Sequence, residues 1–142
     1  GNKAAVDRGC ALAKEKGAKR ALPLPVSVPS HCALMQPAAD KLRTAMASID
    51  VKTPAIPVLH NADVSSHADP AAIRDALARQ LYSPVRWVET VQTFAAQGIQ
   101  LVAECGPGKV LAGLNKRIVD GMPGVALVDP AALADAMARI QA

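Results

Sequence analysis

Three histidines and three cysteines, with scattered serines, glutamines and asparagines, are the side chains in this 142-residue sequence that could move protons or form covalent intermediates. His31 has the most informative setting. It follows Val26-Ser27-Val28-Pro29-Ser30 and precedes Cys32-Ala33-Leu34-Met35. Valines alternate as in a strand, Pro29 ends the run, and Ser30 is a good N-cap for a helix. His31 is therefore expected at a strand-to-helix junction, where α/β proteins place ligand sites. An imidazole titrates near neutrality and can accept and return a proton there. Gln80 is the second notable group, because it falls on the apolar stripe Ile73, Leu77, Leu81. An amide on such a face must find partners or cost roughly 1–3 kcal/mol. A capping or network role and a catalytic one both fit.

Other chemistries have weaker support. His31, His60 and His67 lack short-range ligand spacing, so no metal is expected. Cys10 reads as a core residue, and Cys105, at a strand end, as a buried inert thiol. No serine stands in a Gly-x-Ser-x-Gly setting, and Ser30 and Ser83 are better explained as caps. Gly106-Pro107-Gly108-Lys109 could seat an anion at a helix start, but no Ser or Thr follows Lys109, which favours a structural turn.

The elements that must position these groups follow from periodicity. A helix is expected over 2–16 with Val6, Cys10 and Ala13 on one face, stopped by Gly17, then a short strand over 19–25. A helix over 33–49 carries Leu34, Ala38, Leu42, Ala45 and Ile49, with Pro37 either an early-turn residue or a kink. A short strand over 56–59 leads into His60-Asn61-Ala62-Asp63. Asp69-Pro70 starts a helix running to about Tyr82, and Ser83-Pro84 repeats that signal for a helix ending at Gly98. Strands over 99–104 and 125–128 alternate with helices over 109–119 and 130–140, which indicates a mainly parallel α/β sheet.

Composition sets limits. About half the residues are apolar (51%), but Trp, Tyr and Phe occur once each, so the core is aliphatic. No apolar run approaches the ~20 residues of a membrane span. Three cysteines without CxxC spacing suit a reducing cytoplasm rather than a disulfide framework. A net charge of +4 fits an acidic protein or phosphate-bearing ligand, and with no basic run and few aromatics it argues against nucleic acid.

Three segments carry a family resemblance, in order and spacing: Pro23 to Met35, Arg79-Gln80-Leu81-Tyr82-Ser83-Pro84-Val85-Arg86-Trp87, and Glu104-Cys105-Gly106-Pro107-Gly108-Lys109-Val110-Leu111. They resemble bacterial malonyl-CoA:acyl carrier protein transacylases, over essentially the whole chain. The family's Gly-His-Ser-Leu-Gly elbow, with its nucleophilic serine, is absent. The resemblance therefore implies the C-terminal part of a parallel-sheet, hydrolase-like α/β acyltransferase core (28–142), preceded by the last helix and strand of a small ferredoxin-like subdomain (1–27). It implies that His31 is the catalytic base, held by the backbone carbonyl of Gln80, and that Asn61 lies near the substrate. Malonyl-CoA would be a substrate, with no cofactor. Acyl carrier protein and the missing N-terminal part of the same enzyme would be the partners, in the cytoplasm. This chain alone would be inactive. The alternative is a non-catalytic binding or regulatory fragment with an acidic protein partner.

Overall fold

The computed structural model describes residues 1–141; residue 142, the end of the expected core segment, lies outside them. Two compact units divide between Val85 and Arg86.

The first unit begins with α1 (Lys3–Glu15), which buries no residue, and Gly17 ends it with a φ of +88° that glycine adopts without strain. The strand expected over 19–25 does not form, nor does the Val26–Val28 run. Neither pairs with another strand among the described residues. Pro23, Pro25 and Pro29 lack N–H donors, and the amides of Val26 and Ser30 turn back to carbonyls two residues earlier, Leu24 and Val28, each at 2.8 Å. Ser30 caps nothing: a single 3₁₀ turn (Ala33–Met35) starts after Cys32 without a side-chain cap.

Helix α2 (Gln36–Met46) follows, with Pro37 in its first turn, where a missing N–H costs nothing; this settles the choice between early turn and kink. Its buried residues are Ala39 and Met46, and of the expected stripe Leu42 packs partly buried beside them. Leu34 lies in the 3₁₀ turn and Ile49 beyond the helix, and both are about half exposed, at 47% and 53%. Against α2 packs α3 (Pro70–Arg79), so that Ala39, Met46 and Ala78 form the core with Leu77, Leu81 and Tyr82 around it. Asp69 caps α3, its Oδ2 accepting from the Ala72 amide at 2.8 Å. The helix ends earlier than expected, at Arg79, with Gln80 as C-cap. Between the two helices the expected strand over 56–59 reduces to one antiparallel bridge, Leu59 to Ser66. Pro57 offers no donor, and Ile56 and Val58 are exposed.

In the second unit α4 (Trp87–Ala96) starts after Arg86, not at Ser83-Pro84. Ser83 instead closes the turn after α3, its amide donating to Arg79 O at 3.0 Å. Gly98, at φ +76°, follows the Gln97 C-cap. Strand β1 (Val102–Cys105), α5 (Val110–Ile118) and β2 (Gly124–Leu127) then form a strand–helix–strand unit, with the two strands parallel and Val102 opposite Gly124. Helix α6 (Pro130–Gln141) packs on β2, capped by Asp129 through the Ala132 amide at 2.8 Å. Val91, Ala112, Met122 and Ala136 are buried in this unit. No helix among the described residues is long and apolar enough to cross a membrane.

Candidate active site

His31 and Gln80, 49 residues apart, meet in the first unit, where His31 Nδ1 lies 3.0 Å from the Gln80 carbonyl oxygen. Ser83 O is 3.2 Å from the same nitrogen. A carbonyl oxygen can only accept, so Nδ1 carries the proton and Nε2 presents a lone pair. The backbone is held too, because His31 N–H donates to Leu81 O at 2.9 Å. Gln80, Leu81 and Ser83 follow the last turn of α3, whose carbonyls have no partner further along the helix. That end of a helix carries partial negative charge. The fit demands an unusual backbone: His31 has φ +60°, a left-handed conformation that non-glycine residues adopt mainly where surroundings enforce it. His31 is exposed.

Asn61 is half-buried in the loop from Leu59 to Ser66. No hydrogen bond joins it to His31 or Gln80 among the described residues. The loop itself is tightly tied, with His60 N–H donating to Ser65 O at 3.0 Å and Val64 N–H to His60 O at 2.9 Å. Below it lies a polar cluster: Asp63 Oδ2 accepts from Arg79 Nη2 at 2.7 Å and from His67 Nε2 at 3.0 Å. Burial alone would raise the Asp63 carboxyl, but the hydrogen bonds from Arg79, His67 and the Ser65 amide outweigh it and pull the pKa down to about 2. His60, only 6% exposed, lies beside His67 with ring centroids 5.3 Å apart and ring planes tilted by 43°. Burial lowers its pKa, and the neighbouring His67 lowers it further.

The remaining candidates resolve in turn. The seat at the start of α5 is filled from within, as Glu104 Oε2 accepts from the Ala112 amide at 2.9 Å, so the loop Gly106-Pro107-Gly108 is a structural turn. Cys105 is exposed rather than buried because it ends β1 next to that turn, and Cys10 is only half-buried on a helix with no buried residue. Among the described residues no group of three His, Cys, Asp or Glu side chains could hold a metal. Two shallow clefts lie in the second unit, and neither is lined by His31, Asn61 or Gln80. The carbonyls of Leu81 and Ser83 and the Asp63–Arg79 pair were not anticipated from the sequence. The i,i+4 spacings of Asp63 with His67 and Asp75 with Arg79 were the available signal.

Comparison with known proteins bears directly on this site. The chain is 58% identical over 139 residues to the malonyl CoA-acyl carrier protein transacylase of Salmonella typhimurium, a match covering 98% of this chain and 45% of that protein. It superposes with a TM-score of 0.91 and 57% identity on the crystal structure of the acyl-carrier-protein S-malonyltransferase from Burkholderia pseudomallei, over 97% of this chain and 45% of that one. The chain belongs to the malonyl CoA-acyl carrier protein transacylase family. It matches the C-terminal part of these transacylases and spans about 45% of the length of the curated relative. A further transacylase-family structure, solved with a type II polyketide acyl-carrier protein bound to its malonyl-transacylase, aligns with a TM-score of 0.94 and 52% identity, over 98% of this chain and 45% of that one. No protein-family model matches the sequence. The fold agrees with a portion of the transacylase α/β acyltransferase core, and these relatives do not favour a non-catalytic binding module.

Proposed function

We propose that this chain supplies the proton-transfer half of a malonyltransferase site, moving malonyl from coenzyme A to the phosphopantetheine thiol of an acyl carrier protein. The observation that carries the reading is the 3.0 Å contact between His31 Nδ1 and Gln80 O, which fixes the tautomer and leaves Nε2 free as a base. In this scheme a serine from the part of the transacylase not represented here gives its proton to His31 Nε2 as its oxygen attacks the malonyl thioester. The carbon–sulfur bond breaks, and the proton passes from His31 to the departing coenzyme A thiolate. His31 next takes the proton of the carrier thiol, whose sulfur attacks the serine ester and returns the serine oxygen, which recovers the proton. The carbonyls of Gln80 and Ser83 stabilise the imidazolium in each half, as a carboxylate does in other triads.

Within the same reading Asn61 is a substrate-binding residue, the chemistry uses no cofactor, and helix α1 with the segment to residue 27 closes a ferredoxin-like subdomain. The net charge of +4 suits an acidic carrier protein, and the reaction is placed in the cytoplasm. Without a serine elbow the chain alone forms no acyl-enzyme. Combining it with the upstream part of a relative tests the proposal: malonyl transfer should appear in the mixture and be absent from either part. A mixture that associates yet transfers nothing would count against it.

A further inference from the structure

The Asn61 loop is fastened to the same helix end that holds His31, and side chains do the fastening. Arg79 Nη2 reaches Asp63 Oδ2 in the loop at 2.7 Å, while Arg79 Nε donates to Asp75 Oδ2 on α3 at 2.6 Å. One planar guanidinium thus bridges a loop carboxylate and a helix carboxylate. The backbone of the same arginine builds the histidine seat, because Arg79 O accepts the amides of Tyr82 at 3.2 Å and Ser83 at 3.0 Å. Those bonds form the turn whose Gln80, Leu81 and Ser83 carbonyls all bond to His31. The Asp63 and Arg79 side chains are 22% and 32% exposed, shielded enough for a charge-assisted bond to count. Val64, one residue past Asp63, sits at φ +56°, which a β-branched residue adopts only when its surroundings hold it there. The loop has its own bonds, from His60 N–H to Ser65 O and from Val64 N–H to His60 O, and the Arg79 pair adds a tie from outside it.

We infer that the Asp63–Arg79 pair is a clasp coupling the Asn61 loop to the turn that seats His31, which makes both residues positioning residues of the acyl-transfer site. The clasp rests on the proposed function only for what His31 does, not for its own existence. Releasing it frees the Val64 backbone to relax, and Arg79 loses the anchor that aligns the turn after it.

The test reads the His31 ring itself. With three histidines in the chain, selective ¹⁵N-histidine labelling gives three sets of imidazole signals. The unsubstituted chain should show His31 as the Nδ1–H tautomer, with a protected backbone amide. In Asp63→Asn and in Arg79→Gln the Nε2–H tautomer should appear, and the His31 amide should exchange roughly 10- to 100-fold faster, the scale of losing a hydrogen bond to a charged group. Arg79→Lys, which keeps the charge but not the fork, should fall between. The double variant should be less than additive, since the Asp63–Arg79 contact is lost only once, while the bonds of Arg79 to Asp75 and of Asp63 to His67 and Ser65 are separate. Retained protection of the Ala72 amide, capped by Asp69, establishes that the unit is folded. Should Arg79→Gln unfold the unit, Arg79→Lys decides by the same criterion. Unchanged His31 signals, or additive effects in the double variant, overturn the clasp. Neither result depends on transfer activity, so the clasp can fail while the role of His31 stands, and the reverse.

Discussion

Gly124 and His31 are both fixed in place, by opposite means. In the second unit, a Cβ on Gly124 of β2 would sit 3.0 Å from Ala112 Cα and 3.0 Å from Ala112 O, so strand and helix touch backbone to backbone. In the first unit, His31 lies outside every helix and strand, is exposed, and takes its position from three carbonyl oxygens. Close packing tolerates little change in shape and leaves no group open to exchange a proton. Carbonyl bonds at Nδ1 leave the Nε2 edge of the ring unengaged by them while fixing its tautomer. An acid–base group needs the second arrangement, and a scaffold uses the first.

Four predictions press on that contrast, from the largest effect down. The chain alone should carry no labelled malonyl after incubation with malonyl-CoA, because no serine in it stands in a Gly-x-Ser-x-Gly elbow; stoichiometric labelling of any Ser or Cys, detected by intact mass, would break the account. Gly124→Ala should destabilise the second unit by about 1–3 kcal/mol, since the obstructing atoms are backbone and cannot rotate away. Thermal unfolding would measure it, and an unchanged midpoint would show that the contact is slack.

The third prediction uses pH. The folded Asp63 carboxyl titrates at about 2, against an ordinary 3.8. Between those values the unfolded chain binds more protons, so stability present above pH 3.8 should be lost as pH falls toward 2, by on the order of 1–2 kcal/mol. Asp63→Asn should remove that slope in acid denaturation curves. His60 adds a loss in a different window. Its pKa is lowered from 6.5, so the unfolded state takes up a proton first and stability declines as pH drops below 6.5. His60→Gln should flatten the curve there and leave the Asp63 slope untouched. The smallest effect is expected for Gln80→Ala, which keeps the backbone carbonyl; its transfer rate in the combined enzyme should remain far above the roughly 10²–10⁴-fold loss typical of a missing general base.

How much of this was legible beforehand depended on whether the signal was local. Asp69-Pro70, Gly17 and Gly98 mark helix ends by their own conformational chemistry, and all three act where expected. Both strands of the parallel pair were found within a few residues. The failed strands share a cause. The alternation at Val26–Val28 and the apolar run at 56–59 describe what a strand would look like, but a strand exists only beside a partner, which local pattern cannot supply. Ser83-Pro84 failed for a related reason, as the Ser83 amide and carbonyl are committed to Arg79 and His31. The meeting of His31 with Gln80 spans 49 residues and came from the family resemblance, not from spacing. The Asp63–Arg79 pair is 16 residues apart, and only the i,i+4 spacings of its members with His67 and Asp75 hinted at it.

The central claim is that His31 moves the proton, and the rate of malonyl-enzyme formation in the combined enzyme tests it most directly. His31→Ala should slow that step by roughly 10²–10⁴-fold while leaving the unit folded, because the imidazole bonds to carbonyls and fills no core. His60→Ala should leave the rate near that of the unsubstituted protein. Near-normal acylation by His31→Ala, or its loss in His60→Ala alone, would contradict the assignment.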